Sequence, residues 1–122
     1  DWYGIHKIIA SAETADFYNT KVITATMGSF TRARMFYTAL DVYLENTNAP
    51  VIGTFLNGHN VHDYDFGTGG LIVIGNESRG ISPAVEKLVK HRITIPRYGQ
   101  AESLNAAIAT AIVCDNIRRR TR

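Results

Sequence analysis

Two short apolar runs, residues 71–74 (LIVI) and 91–95 (HRITI), each stop at a glycine-containing polar loop before a helical pattern resumes. This tandem constrains the fold more than any other feature of the chain. The runs are too short for helices and rich in β-branched residues, so they read as buried strands. The first loop is Gly75-Asn76-Glu77-Ser78-Arg79-Gly80; the second passes through Pro96, Tyr98 and Gly99 to Asn105. Strand, loop and helix repeated in this order give a parallel sheet, because the helix supplies the crossover that parallel pairing requires. In open α/β sheets ligands sit beyond the carboxyl ends of the strands, so two polar loops at neighbouring strand ends predict one shared pocket.

The remainder of the chain fits the same class. Residues 5–10, 33–38 and 51–55 read as further strands, the last after the turn signal Asn48-Ala49-Pro50. Ser11 and Thr14 offer helix-start chemistry for a short helical or irregular stretch before residue 20. Residues 21–27 carry β-branched side chains that suit a strand as well as a helix, and Gly28 breaks either one. Residues 40–45 form a short helix. Ser82 followed by Pro83 predicts an N-cap and first helical position, with the helix running to about Lys90. Ser103 is the expected cap of a long final helix, with Leu104, Ile108, Ile112 and Ile117 near one apolar face and Arg118 to Arg120 free at its end.

At 122 residues with 45% apolar content, the chain reads as one domain with an ordinary core. A net charge of +2 permits contact with nucleic acid without requiring it. Arg118, Arg119, Arg120 and Arg122 crowd the C-terminus, where they either complement a helix dipole or meet phosphate. The single Cys114, set among Ala, Ile and Val, reads as a core thiol of a cytoplasmic protein; one cysteine makes no internal disulfide, and no membrane-length apolar run is present. Asp1-Trp2-Tyr3-Gly4, without an initiator Met, reads as the continuation of something upstream.

Several chemistries lose support. The 75–80 loop lacks the Lys-Ser/Thr that a triphosphate-binding loop needs and does not satisfy G-x-G-x-x-G. What remains is a tight loop whose backbone could hold a small polar ligand or serve only as a turn. The run from His59 to Asp65 gathers His59, His62, Asp63 and Asp65, but no strongly placed third ligand accompanies the His-x-x-His pair, so no metal is expected. His6 and His91 read as structural histidines in strands. Arg32 and Arg34 suit a phosphate contact or an ordinary charged surface equally. No Ser-His-Asp or Cys-His set can be assigned.

Together, Ile74-Gly75-Asn76-Glu77-Ser78-Arg79-Gly80 and Ile95-Pro96-Arg97-Tyr98-Gly99-Gln100-Ala101-Glu102-Ser103-Leu104-Asn105 resemble the second and third motifs of the SpoU, or TrmH, branch of the SPOUT RNA methyltransferases. The similarity extends more weakly through Met27-Gly28-Ser29 and residues 51–55. It makes residues 21–27 helical and implies a parallel-sheet α/β knot, the SPOUT trefoil-knot fold, incomplete at its N-terminus. The chain would be the C-terminal portion of a methyltransferase domain. The resemblance implies S-adenosyl-L-methionine bound by Thr54, Gly75, Ile95 and Leu104, mainly through backbone. It gives Glu77, Ser103 and Asn105 the organisation of the reacting site. It further implies a homodimer and transfer of methyl to a ribose 2′-hydroxyl of tRNA or rRNA. The family's first motif, an Asn followed by an activating Arg, is not in this chain, so residues 1–122 alone are expected to be inactive on RNA. Two rival readings are a non-catalytic RNA-binding or dimerisation module on the same fold, and a SPOUT enzyme that methylates a base nitrogen.

Overall fold

The computed structural model describes residues 1–120, so the charge of Arg122 lies outside the described residues. It comprises two compact units, Asp1–Tyr43 and a second that starts at Leu44.

In the first unit, β1 (Lys7–Ala10) pairs in parallel with β2 (Arg34–Tyr37), with Lys7 opposite Arg34 and Ala10 opposite Tyr37. The crossover between them holds α1 (Thr20–Thr26), which places residues 21–27 in a helix rather than a strand. Asn19 caps α1 by accepting from the Lys21 backbone N–H at 2.9 Å, and Met27 and Gly28 end it in left-handed backbone. The stretch before Asn19 is irregular, and the Tyr37 hydroxyl holds it: it accepts from Phe17 N at 2.7 Å and donates to Ala15 O at 2.6 Å. Ala10 and Phe17 are the buried apolar residues here. Arg32 pairs with Asp1 at 2.8 Å, so one of the two candidate phosphate-binding arginines has a carboxylate partner of its own.

After α2 (Leu40–Glu45), the second unit builds a three-stranded parallel sheet in the order β4–β3–β5, from β3 (Val51–Asn60), β4 (Leu71–Val73) and β5 (His91–Thr94). Parallel pairing is therefore as the strand–loop–helix tandem predicts, in two sheets. Ile52, Val61, Phe66 and Ile93 form the core with Val113 of α4 (Ala106–Arg120); Ile72, Ile95, Ile112 and Ile117 pack around them. Full burial of each such side chain is worth about 2 kcal/mol.

Four local expectations are corrected. β3 runs beyond residue 55 because it bulges between Thr54 and His59 and then resumes pairing with β5. The helix after Ser82, α3, is only Pro83–Glu86; Ser82 caps it as expected, and residues 87–89 continue in tighter turns. In α4 the face turned inward carries Val113 and Asn116, whereas Leu104 and Ile108 are exposed. Arg120 is not free, because it donates to the His62 carbonyl. Cys114 is half-buried, and burial pushes its thiol pKa up.

Candidate active site

Since β4, β3 and β5 are parallel neighbours, their carboxyl ends lie at one end of the sheet; Gly75 and Ile95 sit just past the ends of β4 and β5, and Thr54 closes the part of β3 that precedes its bulge. The Thr54 hydroxyl donates to Val73 O at 3.1 Å and so ties β3, where its bulge begins, to the end of β4.

The loop after β4 closes on itself. Asn76 N donates to Gly80 O at 3.0 Å and Gly80 N donates to Asn76 O at 2.8 Å. The Asn76 side-chain oxygen accepts from Ser78 N, Ser78 Oγ and Arg79 N, which fills the turn from within. Gly80 adopts φ +68°, a left-handed conformation suited to glycine. Gly75 is needed for a different reason: a Cβ there would lie 2.6 Å from the Gly80 carbonyl carbon and 2.7 Å from Ile81 N. The spacing of the two glycines thus reflects a contact between them, and the chain's own backbone fills the space beside Gly75.

This closure presents Glu77 at the loop tip. Its Oε1 accepts from Asn105 Nδ2 at 2.9 Å and from Ala106 N at 3.3 Å. Asn105 in turn caps α4, its Oδ1 accepting from Ala107 N at 2.9 Å and Ile108 N at 3.2 Å. A carboxylate at a helix N-terminus meets unpaired N–H groups and the positive end of the helix dipole, so Glu77, Asn105 and α4 support one another. The expected cap, Ser103, is instead two residues upstream in an exposed irregular segment, beside the exposed Leu104. The structure therefore brings Glu77 and Asn105 into contact, sets Gly75 and Ile95 just past the ends of β4 and β5, and sets Thr54 at the start of the β3 bulge. It places Ser103 and Leu104 next to Asn105 along the chain.

Asn76 escapes the sequence reading, although an Asn directly after a glycine at a loop entrance is a recognisable turn signal. Among the described residues no group of His, Cys, Asp and Glu is arranged to hold a metal ion, and no helix is long and apolar enough to cross a membrane. His59 instead lies near the Tyr64 ring, and His62 Nδ1 is 3.1 Å from Asn116 Oδ1.

Known proteins resemble this chain along most of its length. Residues 1–115 match the model of the SpoU rRNA Methylase family. The chain is 34% identical to the 23S rRNA (uridine(2479)-2′-O)-methyltransferase of Streptomyces viridochromogenes, across 98% of this chain and 46% of the relative. It is 30% identical to the 23S rRNA (guanosine(2553)-2′-O)-methyltransferase RlmP of Bacillus subtilis, across 97% of this chain and 49% of that protein. The chain thus spans about half the length of these relatives. A crystal structure of the SpoU methyltransferase AviRb from S. viridochromogenes in complex with the cofactor AdoMet superimposes with a TM-score of 0.83. It is 33% identical, over 98% of this chain and 52% of that one.

Proposed function

Because the chain belongs to the SpoU rRNA methylase family, we propose that it is the cofactor-binding part of an S-adenosyl-L-methionine-dependent methyltransferase that acts on a ribose 2′-hydroxyl of tRNA or rRNA. The observation that carries this reading is the Glu77–Asn105 hydrogen bond, which joins the two family motifs at the N-terminus of α4.

The residues present suit the cofactor. Thr54 at the β3 bulge and Gly75 and Ile95 just past the ends of β4 and β5 offer backbone groups, half-buried Ile95 and exposed Leu104 offer apolar surface to an adenine ring, and the loop after β4 is held closed by its own hydrogen bonds. Held by Thr54, Gly75, Ile95 and Leu104, S-adenosylmethionine would supply a methyl already activated by its sulfonium, and the proton of the accepting hydroxyl would pass to solvent. The task left to the chain is placement. Asn105 and Ser103 orient the ribose oxygen, and Glu77 fixes the Asn105 amide so that its geometry does not depend on the substrate. Relatives named as ribose 2′-O-methyltransferases support this assignment over a base-nitrogen target. The homodimer, the knotted threading and a cytoplasmic location belong to the same reading; exposed Ala107, Ile108 and Ala111 on α4, with exposed Leu104 just before it, give a second copy a surface of small and apolar residues.

The test is to incubate the full-length protein with methyl-labelled cofactor and bulk tRNA or rRNA, digest the RNA to nucleosides, and identify the product by mass spectrometry. A 2′-O-methylnucleoside is expected. Label on a base nitrogen, or on no nucleoside at all, refutes the reading.

A further inference from the structure

The second unit also carries an open depression lined by Gly58, His59, Lys90, His91 and Arg92, none of which belongs to the Glu77–Asn105 arrangement. Its floor is fixed. A Cβ on Gly58 would lie 2.7 Å from the Arg92 carbonyl oxygen, so the β3 bulge rests on the β5 backbone. The Arg92 guanidinium stacks 3.5 Å over the Phe55 ring and donates to Glu86 at 2.8 Å and to Asn57 at 3.2 Å. Glu86 offsets the charge of Arg92, which makes Arg92 a brace for the bulge.

The groups that remain at the surface are different in kind. His59 and His91 are exposed, and their ring centroids lie 6.3 and 6.2 Å from that of Tyr64. Tyr64 is half-buried and packs edge-on against core Phe66 at 4.9 Å; burial, and then the neighbouring Asp65, push its phenol pKa up. Lys90, directly before His91, is exposed and has no ion pair among the described residues. Two exposed imidazoles backed by a rigid aromatic pair, with an ammonium beside them, match the chemistry of single-stranded RNA: bases stack on aromatic faces, His included, and phosphates take lysine.

We propose that this depression is a second RNA contact, separate from the cofactor loops, in which one single-stranded nucleotide flanking the target stacks its base on His59 and His91 and sets its phosphate at Lys90. The proposal rests on the reading that this protein acts on RNA. Lys90 and His91 stand at the amino end of β5, whereas the 95–105 loop leaves its carboxyl end; four residues at 3.3 Å each separate them by about 13 Å. A few nucleotides would bridge that distance, so the depression reads sequence next to the modified position and takes no part in the reaction itself.

The experiment is fluorescence anisotropy with fluorescein-labelled oligouridylate on the full chain, alongside calorimetry with S-adenosylmethionine. His59→Ala combined with His91→Ala is expected to weaken oligouridylate about tenfold, and Lys90→Ala to lower the slope of log affinity against log salt by about one. The double His→Phe variant should restore binding, because stacking survives without the imidazole. Cofactor affinity should be unchanged throughout. Oligouridylate binding by the wild type with no loss in any variant overturns the proposal and leaves the methyltransferase reading intact. Failure of the wild type to bind any RNA overturns both, and equal losses toward polyglutamate or of cofactor affinity would show a nonspecific or structural effect and overturn the stacking site.

Discussion

Asn105 at the start of α4 and Asn116 near its end each use a side-chain amide to tie the helix to a loop, in very different surroundings. Asn105 is exposed and engages a carboxylate, Glu77, at 2.9 Å. Asn116 is only 5% exposed; it meets His62 Nδ1 at 3.1 Å and donates to Ile112 O at 2.9 Å. A buried amide stripped of its partners pays a desolvation penalty that water cannot relieve, so the second link serves folding. The exposed link has water as an alternative partner at every position, and its small stability does not explain why Asn and Glu stand there. On the proposed function, then, one helix has an end that serves chemistry and an end that serves stability.

The strongest way to break that division is Glu77→Ala in the full-length protein. Methyl transfer should fall about a hundredfold, the scale seen when one preorganised polar group is removed from a reacting site, while the melting temperature stays close to that of the wild type. Single-turnover kinetics and a thermal melt on the same sample decide it; parallel losses in both would make Glu77 a structural residue. Asn116→Ala should do the reverse. With its two hydrogen bonds gone, the Ile112 carbonyl loses its side-chain partner, and unfolding should become easier by about 2 kcal/mol in a urea titration, with activity per folded molecule preserved. A drop in that activity would show that the two ends are coupled through α4.

How far these roles can be read from the sequence depends on what each rests on. Parallel pairing and the Ser82–Pro83 start of α3 follow from local pattern, and the structure has both. The extent of β3 does not, because its bulge is held by Arg92, which is distant in the chain and lies on another strand. Ser103 and Asn105 are both good capping residues, and nothing local chooses between them; Glu77, from a different loop, reaches Asn105 and the Ala106 N–H and so marks where the helix begins. The same limit applies to Gly75. Its position at a strand end predicts a close approach, but only the closed loop identifies Gly80 and Ile81 as what approaches. Ile108 was expected inside by its spacing, yet the buried stripe of α4 runs through Val113 and Asn116, a polar residue that no apolar periodicity would select.

The cap and the carboxylate contact at Asn105 can be separated, which sharpens the comparison at an intermediate scale. Asn105→Ser keeps a good N-cap oxygen, so stability should change by only a few tenths of a kcal/mol, but it removes the amide donor to Glu77. Methyl transfer should fall about tenfold. Asn105→Ala removes both and should add about 1 kcal/mol of destabilisation from the lost cap. If the Ser variant keeps full activity, the Glu77 contact matters only through the helix start, and the chemical role assigned to that end disappears.

The smallest expected effect lies between the two ends, at Cys114. The side chain is half-buried on α4, and burial raises its pKa above the ordinary thiol value. In the unfolded chain the thiol ionises near its usual pKa of about 8.5, so at higher pH the unfolded state binds fewer protons than the folded one. Stability should therefore be insensitive to this group below that pH and decline as pH rises from the unfolded pKa toward the folded one. Cys114→Ser, which does not titrate there, should flatten that decline in melts recorded between neutral and strongly alkaline pH. Alkylation by iodoacetamide at mildly alkaline pH should also be slower for the native protein than for the urea-unfolded chain, since the thiolate is the nucleophile. Equal alkylation rates would mean that α4 opens at Cys114 as readily as at its exposed start, and that the stable end of the helix begins only beyond it.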